Sequence, residues 1–177
     1  MLALGTKAPD FELPDTVSGK QISLADLKSD QAMVIMFICN HCPYVIHVNP
    51  EIVRLAKEYQ GKGVHFAAIS ANDANAYPQD GPGPMKAHAQ KEGYPFPYLY
   101  DESQAVAKAY DAACTPDFYV FDKDQILVYR GRLDASRPNS GIPLTGSDLR
   151  AALDAVLAGE QVSERQYPSM GCNIKWK

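Results

Sequence analysis

Only four cysteines are spread over the 177 residues, too few to staple a small secreted scaffold. No apolar run approaches the roughly 20 residues of a membrane-spanning helix. Basic residues are not in excess: 17 Lys and Arg stand against 21 Asp and Glu, a net charge of −4, with a pI near 5.5. That balance gives no electrostatic footprint for nucleic acid or an anionic membrane, and neither is expected as a partner. The N-terminus, Met1 to Lys7, has no basic n-region and no h-region, so no secretory leader is read and the cytoplasm is the expected compartment. Internal repeats and low-complexity segments are absent, and the single tryptophan, Trp176, lies near the C-terminus.

What is present suits an ordinary globular protein. Hydrophobic residues make up 46% and charged residues 21%, enough for one core. A single domain over 1–177 is expected, with its core at about 5–158 and a tail at 159–177.

The segment Cys39-Asn40-His41-Cys42-Pro43 carries the chemistry. It follows an apolar, β-branched run from Ala32 to Ile38 and precedes a helical pattern from Cys42 to Gln60. A strand that ends in C-x-x-C at a helix N-terminus lowers the pKa of the first thiol, because the helix dipole and unpaired N–H groups favour a thiolate. The second cysteine is one turn away and can attack a mixed disulfide. In a reducing compartment such a pair is catalytic, redox-sensing or metal-binding. His41, between the two cysteines, is expected to favour the Cys39 thiolate and to raise the couple's potential to about −200 mV or above.

Pro50 is expected to kink or interrupt the helix, which Gly61 and Gly63 end. A second buried strand is read at Val64–Ser70, a surface loop at 71–84, and a helix at about 85–92. A short strand follows near Tyr98–Tyr100, a helix near Ser103–Tyr110, and a hairpin from Phe118–Phe121 and Ile126–Arg130. A loop at 134–146 leads to a helix capped by Ser147 and ending near Ala158. Ser23 is expected to cap a short turn at Leu24–Lys28. The order implies an α/β fold, a mixed sheet with helices on both faces.

A second element sharpens the reading. Thr115-Pro116 immediately precedes the strand Phe118–Phe121 and looks like the cis-proline loop that faces C-x-x-C in thioredoxin-fold proteins. With the opening Ala8-Pro9-Asp10-Phe11, the chain resembles the thioredoxin superfamily, in the branch of TlpA- and ResA-like oxidoreductases and peroxiredoxin-like proteins. The resemblance implies a thioredoxin fold with an N-terminal extension and an extra strand and helix at about 64–92. It makes Cys39 the nucleophile, Cys42 the resolving thiol and His41 their tuner. Asn40, Pro43, Thr115 and Pro116 would meet the substrate. A disulfide-bearing protein or small molecule is the implied substrate, and a thioredoxin-type or glutathione system the external reductant. No cofactor and no metal is required.

The departures from that pattern are specific. The strand before the motif is uniformly apolar, with Met33 where thioredoxin has a buried acid, so the proton acceptor is unassigned. The peroxiredoxin signature places its peroxidatic cysteine at Cys42, but Ile35 and Cys39 replace its proline and its Thr or Ser. The activating arginine of that family is replaced at the Thr115-Pro116 loop, with Arg130 and Arg132 nearby in sequence. A thiol peroxidase is therefore the alternative, and a thiol-based metal-binding protein or chaperone a further one. Cys114 and Cys172 are candidate auxiliary thiols that relay a disulfide from the Cys39–Cys42 pair. The remaining histidines, His47, His65 and His88, read as surface or packing residues.

Overall fold

The computed structural model describes every residue from Met1 to Lys177. Strands β1 (Glu12–Pro14) and β2 (Gln21–Ser23) pair antiparallel at the start. A 3₁₀ turn at Ala25–Leu27 follows. Ser23 Oγ accepts from the Asp26 N–H and Asp26 accepts from the Ser23 N–H, the reciprocal pattern of a capping box.

The central sheet is built from β3 (Ala32–Phe37), β4 (Val64–Ser70), β5 (Tyr98–Tyr100), β7 (Asp117–Asp122) and β8 (Leu127–Gly131), in the order β5-β4-β3-β7-β8. The β3–β4 and β4–β5 pairs are parallel, whereas β3–β7 and β7–β8 are antiparallel. Central β3 is apolar throughout because both of its faces are covered. Val34 and Met36 point into one core with Phe66, Phe118 and Val120. Met33, Ile35 and Phe37 point into another with Phe11, Tyr110 and Phe121.

Helices occupy both faces. Helix α1 (Pro43–Gln60) buries Val45, Val48, Ile52, Leu55 and Tyr59 at helical spacing, against the first core together with α2 (Pro82–Glu92) and α4 (Ser147–Leu157). Each such buried aliphatic side chain contributes about 1.5–3 kcal/mol. The short α3 (Ala105–Ala109) covers the second face, with the N-terminal segment. Glu51 of α1 is buried, and Arg54 (2.5 Å) and Arg150 of α4 (2.7 Å) neutralise it.

Three local expectations are corrected. Helix α1 runs unbroken through Pro50. Pro50 lies on the solvent side, and the carbonyl it leaves unpaired, that of Ile46, belongs to a residue 54% exposed, where water can replace the missing donor. Helix α2 begins at Pro82, inside the segment read as loop, because prolines fit a first turn whose N–H groups lack intrahelical partners. Ser147 does not cap α4: Gly146, at φ +70°, holds that place. Asp134 accepts the N–H groups of Thr145 and Gly146 at 2.8 and 2.7 Å.

The chain after α4 is fastened to the domain. The Gln166 side chain bridges the Arg130 N–H (3.2 Å) and the Val128 carbonyl (2.9 Å) on edge strand β8. The Arg132 N–H donates to the Tyr167 carbonyl at 3.1 Å. Gly131 has no side chain to obstruct this, since a Cβ there would lie 2.1 Å from that oxygen. The tail then forms β9 (Cys172–Asn173), antiparallel to β6 (Cys114–Thr115).

Candidate redox site

Cys39 closes the loop after β3 and Cys42 is the N-cap of α1, with Pro43 at its first position. The parallel strand β4 and the antiparallel strand β7 fix β3 from either side, so the chain leaves the sheet at the helix N-terminus. Across from it, the Thr115–Pro116 bond is cis, as the resemblance implied. Thr115 serves both sulfurs. Its Oγ1 lies 3.5 Å from Cys39 Sγ, and its carbonyl oxygen lies 3.5 Å from Cys42 Sγ.

Cys42 is joined by a disulfide to Cys172, 130 residues away, while Cys39 and Cys114 are free. The bonded pair is thus not Cys39–Cys42. The register Thr115↔Cys172 explains the pairing, because β9 lays Cys172 across the cis-proline loop. Cys39 and Cys42 are each only 1% exposed. Cys114, half-buried, faces the Ser169 carbonyl at 3.9 Å. Burial and the Asp117 charge push the Cys114 thiol up to about 12.

The expectation of a lowered Cys39 pKa does not hold in this state. Burial raises it above its ordinary value and the Asp80 charge adds to the rise. The Thr115 hydroxyl and the N–H groups of Cys42 and His41 oppose the rise. The helix N-terminus therefore acts as expected but is outweighed by desolvation. His41 contributes its backbone N–H, whereas its Nδ1 turns to Asp80 Oδ1 at 2.9 Å. The imidazole also stacks on Tyr77, with ring centroids 6.3 Å apart.

Asp80 was not read from the sequence, where it fell in the 71–84 loop. Fully buried, its carboxylate accepts from the Asn40 N–H (3.2 Å), His41 and the Asn72 amide (2.9 Å). Asn72 Oδ1 in turn accepts the Lys175 N–H of the tail at 2.9 Å. The Asn40 side chain is held between the Tyr98 hydroxyl (2.8 Å) and the Gln79 carbonyl (2.9 Å). Pro43 is exposed at the rim and Pro116 is buried. Donor atoms of Cys39, His41 and Asp80 lie within 4.8 Å of one another. They are three groups where a closed zinc centre takes four, and the carboxylate is already engaged by three donors.

The arginines near the loop point elsewhere. Arg132 pairs with Asp148 at 2.6 Å, and Arg130 donates to the Leu2 carbonyl. His47 meets the Ser136 hydroxyl at 2.9 Å, His65 faces the Leu27 carbonyl at 3.1 Å, and His88 lies in a network with Asn49 and Tyr94.

The AhpC/TSA family profile matches residues 4–130, which include both Cys39 and Cys42 and the whole cis-proline loop. The chain belongs to the AhpC/TSA family. Its members' fold is the thioredoxin-like one described above. A crystal structure of an uncharacterized conserved protein from Geobacillus kaustophilus is 63% identical, covering 100% of this chain and 94% of its own, with a TM-score of 0.99. A hypothetical protein from Sinorhizobium meliloti is 47% identical over 100% of this chain and 96% of its own, with a TM-score of 0.97. A protein described as thiol:disulfide interchange protein DsbE, from Chlorobium tepidum, shares the fold at 19% identity. That match has a TM-score of 0.71 over 89% of this chain and 99% of its own. No curated protein matches the sequence. As an AhpC/TSA family protein of this fold, the chain is a redox protein of the thioredoxin type.

Proposed function

We propose that the protein is a thiol–disulfide oxidoreductase whose working thiols are Cys39, Cys42 and Cys172. The observation that carries this reading is the convergence on Thr115. One residue of the cis-proline loop meets Cys39 through its hydroxyl, Cys42 through its carbonyl and Cys172 through strand pairing. In the reduced protein, the Cys39 thiolate attacks a substrate disulfide and displaces one substrate thiolate. Cys42 then attacks the Cys39 sulfur of the mixed disulfide, releasing the second substrate thiol and leaving Cys39–Cys42 oxidised. A cytoplasmic thioredoxin-type or glutathione system returns the two electrons. The substrate is a disulfide-bearing protein or small molecule.

Equilibration in glutathione buffers, with disulfides mapped by mass spectrometry, tests this. The expected result is a two-electron couple in which Cys42 takes Cys39 or Cys172 as its partner. Thiols that stay reduced across the buffer range would refute it.

A second reading, thiol peroxidase, is favoured by one specific feature. Cys42 stands where the resemblance puts a peroxidatic cysteine, and its bonded partner Cys172 lies on a tail, as a resolving thiol would. Against it, neither Arg130 nor Arg132 is aimed at Cys42. Under this reading Cys39→Ser keeps consuming peroxide, whereas under the first it loses disulfide exchange.

A further inference from the structure

The tail lies where an exchanging partner would have to lie. Its β9 pairs antiparallel with the two residues before Pro116, Cys114 opposite Asn173 and Thr115 opposite Cys172. The Ile174 N–H donates to the Ala113 carbonyl at 3.1 Å, and the Ile174 side chain is 3% exposed in the second core. Further along, the Lys175 carbonyl accepts from the Asp73 N–H at 2.8 Å and the Gln104 amide at 2.9 Å. On the other side of the cysteine, Ser169 Oγ donates to Asp117 at 2.7 Å. Gly171 passes so close to the loop that a Cβ would sit 1.9 Å from the Thr115 carbonyl oxygen. With the segment seated, Cys39 and Cys42 are both closed to solvent.

We propose that residues 169–175 are a built-in substrate of the groove beside Thr115 and Pro116, and that they define what the groove accepts. The ligand is an extended polypeptide bearing a cysteine preceded by glycine and followed, two residues on, by a branched aliphatic. Glycine is required by the Thr115 carbonyl, and the aliphatic by the pocket that Ile174 fills. An external peptide reaches the cysteine pair only when the tail has left. Release needs no oxidant. The Cys39 thiolate attacks the Cys42 sulfur, the Cys39–Cys42 bond forms, the Cys42–Cys172 bond breaks, and Cys172 leaves as thiolate to take up the proton Cys39 lost. This inference rests on the exchange chemistry proposed above for its biological meaning, but the recognition itself is tested without turnover.

The test uses full-length Cys39→Ser/Cys172→Ser protein, in which a peptide captured at Cys42 is not resolved. The probe is the peptide Ser-Met-Gly-Cys-Asn-Ile-Lys-Trp-Lys with its cysteine activated as a thiopyridyl disulfide. Mass spectrometry reads its bond to Cys42. Adding Gly171→Val, which keeps the tail off Thr115, is expected to speed capture at least tenfold. Replacing the peptide's glycine by valine, or its isoleucine by serine, is expected to slow capture by a similar factor. Equal rates for all peptides and both proteins would overturn the proposal. The peptide variants leave the protein untouched, so they decide the matter even where Gly171→Val fails to fold. If selective capture is seen but wild-type protein exchanges no disulfide, the function reading fails and the groove assignment stands.

Discussion

At Cys39 two neighbours pull in opposite directions. The Thr115 hydroxyl favours the thiolate and the buried Asp80 carboxylate disfavours it, while burial itself sets the raised baseline. Two substitutions separate these effects in a Cys42→Ser/Cys172→Ser background. Thr115→Val is expected to raise the Cys39 pKa and slow its alkylation, and Asp80→Asn to lower the pKa and speed it. Below the pKa, each unit changes the thiolate fraction about tenfold. Iodoacetamide rates across pH 7–10 read both effects, and a shared direction would sink the account. Cys39 and Cys42 were legible because C-x-x-C is local and its strand and helix flank it. Asp80 was not, because nothing in Pro78-Gln79-Asp80 signals that a loop 39 residues on returns beneath His41.

Among the elements, the tail strand carries the largest consequence for its size. Two-residue β9 is held by Ile174 more than by its ladder, because a buried isoleucine outweighs the one or two hydrogen bonds that so short a ladder makes. Ile174→Ala is expected to cost about 2 kcal/mol of tail docking, the low end for such a truncation. Since the Cys42–Cys172 bond depends on that docking, its midpoint potential should rise by up to about 40 mV, measured by redox titration with mass mapping. An unchanged potential would mean that Ile174 docking and the disulfide are not coupled. The main-sheet strands and α1 were readable from period and β-branched content. Pairing of β6 with β9 was not, because it joins segments more than 50 residues apart through a register that only the folded loop defines. Helix starts failed for a related reason: Asp134, not Ser147, satisfies the entrance to α4, and its contribution is tertiary.

For the molecule as a whole, Asp117 links protonation to stability. Burial pushes its carboxyl up to about 6, above the ordinary 3.8 of the unfolded chain. Below pH 4 both states hold the proton and the site costs nothing. As pH rises through the window to about 6, the unfolded chain ionises first and stability falls. The full shift corresponds to at most about 3 kcal/mol, reduced here because the residue is only half-buried. Asp117→Asn keeps an acceptor for Ser169 and is expected to remove this fall, so its advantage over wild type grows between pH 4 and 6 and then levels. Urea unfolding at pH 4, 5, 6 and 7 checks it. A constant difference across those values would assign the effect to packing instead.

The fastening of Tyr167 to β8 sets a length scale. From Tyr167 to Cys172 is 172 − 167 = 5 residues, so a chain pinned there by Gln166, Gly131 and Arg132 lets the sulfur stray no more than about 18 Å. On such a tether a freed thiol faces its partner at a local concentration on the order of tens of millimolar. An outside thiol or peptide competes against that concentration, not against the protein's own dilution. Weak or dilute partners are thereby screened out by reach alone.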